Sequence, residues 1–309
     1  MAAIPADAVP KLRSSARVEV RRSTLHHWLA PAALLMPSLL FLALFFALPA
    51  LGLISYSFLT QAGDGTTGLP LTLEHYRHFF ATPLYVQVLL TTLKISLVTT
   101  AVAVILAYPV ALVMVRSTPV IRQAITVIVI APLVVSIVIR TYGWQLILGN
   151  GPTGILNWLL LNSGIISSPI ALLYSEAAVV IGSLHVFFPM MVLPLASVLG
   201  KIDPKIEDAA RTLGATSWRT FRRVTLPLSL PGLTVGCTLV FSLTAGSFVT
   251  PVILGGTAGQ MLGVLVEQQI LIVYNWPFGA ACATVLVAIV LAVNFASIRI
   301  LDRRRSVAG

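Results

Sequence analysis

The chain has 309 residues, of which 57% are hydrophobic and only 10% are charged, and its formal net charge is +10. Soluble domains carry about a quarter charged residues, so this composition excludes an ordinary soluble protein. The apolar residues form long charge-poor runs. Because about 20 such residues cross the hydrocarbon core of a bilayer, the sequence predicts several transmembrane helices.

Six apolar stretches predict an all-α integral membrane protein with six transmembrane helices. The first 27 residues are polar and basic and are predicted to form a cytoplasmic tail. The apolar stretch that follows is too long for the core of a cleaved signal peptide, which has about 7–15 residues. The predicted spans cover about 28–59, 85–115, 124–148, 172–199, 231–253 and 278–300, within a membrane domain at 28–300, and residues 301–309 form a second tail.

Prolines and polar segments predict a bend within one span and the structure of the segments between spans. Pro31, Pro37 and Pro49 predict a bend in the first span. Residues 60–85 combine a glycine-rich turn with LTLEHYRHFF, which is typical of an amphipathic helix at the membrane surface. His75 and His78 in that helix are expected to face water, because no third metal ligand is evident. The stretch GNGPTG at 149–154 matches a dinucleotide-binding pattern but lacks the preceding strand that such a site requires.

The positions of the basic residues predict the orientation of the chain. Seventeen of the twenty Lys and Arg residues lie in four clusters, at 11–22, 116–122, 201–223 and 299–305. With six spans, all four clusters fall on one side of the membrane, as the positive-inside rule requires for the cytoplasmic side. Both termini are therefore predicted to be cytoplasmic, and the positive charge needs no nucleic-acid partner.

The predicted cytoplasmic loop at 200–230 contains nine of the thirty charged residues, all between positions 201 and 223. Asp203 and Pro204 predict the start of a helix, and Gly214 predicts its end. Apolar residues at helical spacing predict one stripe on that helix: Ile206, Ala209, Ala210 and Leu213. Ser217 is predicted to cap a second short helix that ends at Pro227. The predicted apolar face of that helix comprises Trp218, Phe221 and Val224.

This loop resembles the EAA loop of bacterial ABC-importer permeases, because DAARTLG is followed after nine residues by VTLP. The residues that match the family pattern are Asp208, Ala209, Ala210, Gly214, Val224, Leu226 and Pro227. Asp208 stands where the family has Glu, and Glu207 precedes it. Further stretches, among them YPVALVM, VIRTYGW and NWPFGAA, resemble the spermidine/putrescine-type subfamily in matching order.

The resemblance implies a type I ABC-importer transmembrane domain whose cytoplasmic coupling helices dock on an ATPase. It also implies a second permease subunit, two ATPase subunits that bind ATP and Mg²⁺, and an extracytoplasmic solute-binding protein, all at the bacterial inner membrane. This chain would then have no cofactor, metal or catalytic residue of its own. The residues implied to couple the permease to the ATPase are Glu207, Asp208, Ala209, Ala210, Leu213, Gly214, Ala215 and Trp218.

The substrate implied by the subfamily is a polyamine such as spermidine or putrescine. The candidate residues of a translocation path are Arg140, Tyr142, Trp144, Glu176, His185, Ser247, Phe248, Thr250 and Trp276. Arg140 is expected either to reach the outer surface or to face the cavity. Ser247 and Asn275 stand where many polyamine permeases have an acid, so an opine, another organic amine or an iron complex stays open as the solute.

Other features of the spans allow structural or functional interpretations. Lys94 lies near the start of its span and is expected to reach outward to water. Gly232 and Gly236 form a G-x-x-x-G spacing that favours close helix packing, within the subunit or between paired permeases. A self-contained secondary transporter would need coupling-ion sites and often internal symmetry, and neither is evident. A membrane-embedded enzyme would need a motif such as H-E-x-x-H or G-x-S-x-G, and the sequence contains neither.

Overall fold

The computed structural model describes residues 35–62 and 65–306. It divides into two units, residues 1–52 and 53–309. Within the first unit lies most of helix α1 (Leu35–Tyr56), which is apolar and almost wholly exposed. A π turn at Ala43–Ala47 precedes Pro49. Because the proline ring would clash with the carbonyl four residues earlier, this wider turn lets the helix continue through it. Pro31 lies outside the described residues.

The second unit contains the end of α1, one hairpin and eleven further helices among the described residues. The hairpin strands are β1 (Leu59–Gln61) and β2 (Thr67–Leu71). The helices up to the third predicted span are α2 (Glu74–Ala81), α3 (Pro83–Arg116), α4 (Pro119–Val134) and α5 (Ile137–Ile147). The later helices are α6 (Ile155–Asn162), α7 (Glu176–Leu199), α8 (Pro204–Thr212), α9 (Ser217–Ala245), α10 (Val249–Leu254), α11 (Leu262–Leu271) and α12 (Trp276–Ser306).

The core of the second unit is the packing of α3, α7 and α9. Ala103, Ala107 and Ala111 of α3 are fully buried, so their small side chains allow neighbouring helices to come close. A Cβ atom on Gly232 of α9 would lie 2.7 Å from the carbonyl oxygen of Pro194 of α7. The G-x-x-x-G spacing in α9 therefore serves packing against α7 within the subunit.

The third predicted span is broken rather than continuous. Helices α4 and α5 meet at an angle of 101°, so the described residues contain five helices that are long and apolar enough to cross a membrane, or six if this bent pair counts as one span. Val135 between them has an extended backbone conformation, with φ −86° and ψ 136°, and Ser136 has a ψ of 137°, so neither residue is helical. Pro132 precedes the break and donates no backbone hydrogen bond, which weakens the last turn of α4.

The fifth predicted span begins earlier and ends earlier than the sequence predicts. The prediction of a separate short helix that ends at Pro227 is wrong, because α9 runs from Ser217 through Pro227 and Pro231 to Ala245. A π turn at Phe221–Thr225 precedes Pro227 and accommodates it, as in α1. The charged loop is therefore joined to a membrane-spanning helix without a break.

The segments at the opposite end of the bundle are ordered. Strands β1 and β2, on either side of the predicted glycine-rich turn, pair in an antiparallel two-stranded sheet, so the described part of the fold is not purely helical; residues 63 and 64 of the turn lie outside the described residues. The predicted amphipathic helix is present as α2, and it buries Phe79. The backbone amide of Leu262 at the start of α11 donates a hydrogen bond of 2.7 Å to the Thr92 hydroxyl. This bond fixes α11 to α3.

Candidate functional site

Local signals in the sequence account for the shape of α8. The Asp203 carboxylate accepts a hydrogen bond of 3.0 Å from the amide of Lys205, and Pro204 occupies the first helical position, as predicted. Gly214 ends the helix with a φ of 84°, a conformation that costs glycine little and other residues more. The cap of α9 is Thr216 rather than the predicted Ser217, because the Thr216 hydroxyl accepts the Arg219 amide.

The helix and the turn after it present an exposed apolar surface with charges at its edge. Leu213 is 90% exposed and Trp218 is 68% exposed, values that are costly for large apolar side chains in water. We call this patch the loop surface, and its exposed residues are Ile206, Asp208, Ala209, Leu213 and Trp218. Ala210 and Ala215 beside it are half-buried. Exposed apolar patches rimmed by polar groups usually mark contacts with a partner.

Glu207 points away from the loop surface and toward the helix bundle. One of its oxygens accepts hydrogen bonds from Arg116 Nη2 at 2.6 Å and from the Thr225 hydroxyl at 2.8 Å. Arg116 is the last residue of α3, and Thr225 lies in the π turn of α9. Glu207 thus lies outside the loop surface, although the sequence predicted it together with the other coupling residues. We call these three residues the Glu207 junction.

An aromatic series forms a second link between the loop and the bundle. The ring of Trp218 stacks on Phe221 at 5.5 Å, and Phe221 meets the edge of Tyr108 on α3 at 5.1 Å. The Tyr108 hydroxyl hydrogen-bonds the Ser229 hydroxyl of α9 at 2.6 Å. Aromatic pairs in these arrangements attract one another. The exposed Trp218 is therefore in contact, through Phe221, with the packed interface of α3 and α9.

Two of the candidate path residues meet at a cavity. The Trp144 indole nitrogen donates a hydrogen bond of 3.0 Å to His185 Nδ1. Both residues line a cavity of about 440 Å³ between α3, α4, α5 and α7, whose other walls are mainly apolar. Arg140 lies one turn before Trp144 on α5, and its Nε and Nη1 atoms are buried without a hydrogen-bond partner in the described part of the chain.

The other candidate path residues do not converge on this cavity. Glu176 pairs with Lys94 at 2.6 Å, and the Lys94 side chain is 63% exposed, so the structure adds an acidic partner that the sequence did not predict. Ser247 and Thr250 are buried near the junction of α9 and α10. The exposed members of the set are Tyr142, Phe248 and Trp276.

Asn275 and Ser247 stand where many polyamine permeases have an acid, and the structure shows a side-chain role for Asn275. The Asn275 side-chain oxygen accepts a hydrogen bond of 3.1 Å from the Phe278 amide, which is the bond of a helix cap at the start of α12. The backbone carbonyl of Ser247 lies close to Gly263, where a Cβ atom would come within 2.7 Å of it. Asparagine caps a helix as well as aspartate does, so the position keeps its structural role without a charge.

The fold and the loop together define a multi-pass membrane transport subunit. The chain belongs to the family of binding-protein-dependent transport system inner membrane components, whose pattern matches residues 103–307. It is 37% identical to the spermidine/putrescine transport system permease protein PotB of Haemophilus influenzae over 85% of this chain and 92% of that protein. Its identity to PotB of Escherichia coli K12 is 34%, over 85% and 96% of the two chains. The predicted resemblance to ABC-importer permeases is thereby confirmed.

A solved structure has the same fold. A chain of a bacterial alginate ABC transporter, crystallised with a periplasmic protein bound to an alginate pentasaccharide, superposes with a TM-score of 0.72. The match covers 90% of this chain and 96% of that chain, at 19% sequence identity. At this identity the likeness concerns the fold of the membrane domain.

Proposed function

We propose that this chain is a permease subunit of an ATP-driven importer, which it forms with a second permease subunit, two ATPase subunits and an extracytoplasmic solute-binding protein. In this assembly the partner ATPase binds ATP and Mg²⁺. The loop and both termini face the cytoplasm, in agreement with the positions of the basic clusters. The observation that carries the proposal is the loop surface, an exposed apolar patch on α8 and the start of α9 within the family's matched region.

The proposed mechanism transmits movement from the ATPase to the membrane helices. The ATPase docks on the loop surface, and closure of its two subunits displaces α8 and the start of α9. The Glu207 junction joins α8 to the end of α3, and α9 continues directly into the bundle. Both helices then move with the loop, so that the cavity between the paired permeases opens alternately to each side.

Substitution of Gly214 tests the docking step. Gly214→Asp places a side chain at a φ of 84°, which strains the turn between α8 and α9 and displaces the loop surface. We expect the variant subunit to reach the membrane but to retain less ATPase after purification and to import less solute. Import at the wild-type rate by a transporter that lacks the ATPase would contradict the proposal.

For the substrate we propose a polyamine such as spermidine or putrescine. The support is the identity of 34–37% to two spermidine/putrescine permeases over most of both chains. Trp144 and Phe188 line the cavity of about 440 Å³ between α3, α4, α5 and α7 of this subunit. They suit a cationic amine, because aromatic faces attract cations. Uptake of radiolabelled spermidine into proteoliposomes that contain the whole transporter and its binding protein tests this assignment.

The uncharged residues at positions 247 and 275 favour a second candidate, a small solute with fewer positive charges, such as an opine or another organic amine. The two candidates differ in one measurement. If the binding protein takes up spermidine and putrescine in a calorimetric titration, the polyamine assignment holds. If the binding protein binds neither polyamine but binds an opine or a monoamine, the second candidate replaces the polyamine assignment, and the proposed importer mechanism stays unchanged.

A further inference from the structure

A second cavity lies at the end of the bundle that carries the charged loop. Its volume is about 500 Å³, and it is bounded by the end of α3, the start of α4 and the end of α7. The residues that line it include Met114, Val115, Arg122, Leu193, Ala196 and Lys201. The walls are thus mainly apolar, with two cationic side chains and the hydroxyl-bearing Ser197, and no acid is among the lining residues.

The two cationic side chains differ in the number of hydrogen bonds that they make. Arg122 donates hydrogen bonds to the carbonyl oxygens of Met114 at 3.3 Å and Val115 at 3.0 Å, near the end of α3. A guanidinium has five N–H donors, so Arg122 retains donors for another acceptor. Within the described ranges, the Lys201 ammonium forms neither an ion pair nor a side-chain hydrogen bond.

We propose that this cavity binds the headgroup of an anionic phospholipid, such as phosphatidylglycerol or cardiolipin. Arg122 and Lys201 contact the phosphate, and the apolar wall formed by α3 and α7 contacts the first part of the acyl chains. A basic cavity between membrane helices at the cytoplasmic surface is the arrangement that recognises such headgroups. A free phosphate would use the cations but not the apolar wall.

The position of the cavity gives the lipid a structural role. Three helix ends meet there, and Gly200 and Lys201 lead directly from α7 into α8. A bound headgroup bridges α4 and the segment before α8, because Arg122 belongs to the first and Lys201 to the second. The lipid therefore stabilises the base of the charged loop.

The test measures lipid retention by the complete transporter with native mass spectrometry. The complex is assembled in bilayers of phosphatidylethanolamine and cardiolipin and released in mild detergent. We expect the wild type to retain cardiolipin, and Lys201→Gln to bind it about five-fold more weakly, since a cation near the membrane surface contributes about that factor. Lys201→Arg keeps the charge and should retain the lipid.

Lys205→Gln is the matched control, because Lys205 is exposed four residues further on and does not line the cavity. It should retain cardiolipin like the wild type. The proposal is overturned if Lys201→Gln binds cardiolipin as tightly as the wild type, or if phosphatidylethanolamine is retained equally well. It is also overturned if millimolar inorganic phosphate displaces the lipid, which would indicate a site for a free anion, or if the assembled ATPase leaves no lipid in the cavity.

Discussion

Glu207→Gln tests the link between the charged loop and the membrane helices. Glutamine has nearly the same shape, and its amide oxygen can still accept the hydrogen bond from Thr225, but it has no charge for Arg116. A hydrogen bond to a charged group contributes about 1.5–3 kcal/mol. Because the Arg116 side chain is 30% exposed and that of Glu207 is 14% exposed, solvent screens part of the attraction, and we expect a loss of about 1.5 kcal/mol.

A loss of about 1.5 kcal/mol corresponds to roughly a tenfold change in the equilibrium between the linked and the unlinked loop. In the proposed mechanism the ATPase can then close without moving α3, so ATP is hydrolysed with less import. The assay is the number of solute molecules imported per ATP hydrolysed in proteoliposomes, and this ratio should fall several-fold. Glu74→Gln is the control, because it removes the same charge from an exposed position on α2.

A double-mutant cycle separates this link from other effects of the substitution. Arg116→Gln should lower the ratio as Glu207→Gln does, and the double variant should be no worse than either single variant, because all three lack the same ion pair. An unchanged ratio in Glu207→Gln, or effects of the two substitutions that simply add, would refute the reasoning.

Three further predictions concern stability and loop geometry. Gly214→Ala should cost about 1–2 kcal/mol because alanine is strained at a φ of 84°. Gly214→Ala should also lower the amount of ATPase retained after purification. Gly164→Ala, which meets a similar strain at a φ of 71° outside the loop, should not. Tyr108→Phe should lower the free energy of unfolding by about 1 kcal/mol, measured as a lower melting temperature in detergent, because the bond to Ser229 is lost. Gly232→Ala should destabilise the subunit by about 1–3 kcal/mol through its contact with a backbone carbonyl, and Gly143→Ala, with nothing within 4 Å, should melt closer to the wild type.

The features that the sequence predicted correctly depend on residues close together in the chain. Asp203, Pro204 and Gly214 define both ends of α8 through capping and a left-handed turn, and the structure agrees with them. The long apolar runs likewise predicted where apolar helices occur, because hydropathy is a local property of each segment, although the third span is broken and the fifth is shifted along the chain.

The features that the sequence missed depend on distant residues or on local competition. Arg116 and Glu207 are 91 positions apart, and no pattern in either segment indicates that they pair. Thr216 and Ser217 are both good caps, and only the path of the chain selects between them. The break after Val134 was missed because hydropathy is continuous across it, whereas backbone geometry is not.

The π turn at Phe221–Thr225 fixes the rotational phase of the loop relative to the fifth span. Such a turn corresponds to one residue added to an α-helix, and one residue corresponds to a rotation of about 100°. Removal of one residue from this turn would change neither the residues of the loop surface nor those of the helix packing, but it would point Trp218 in another direction. If a partner docks on the loop surface as proposed, its angle to the membrane depends on the length of this five-residue segment, separately from the chemistry of either surface.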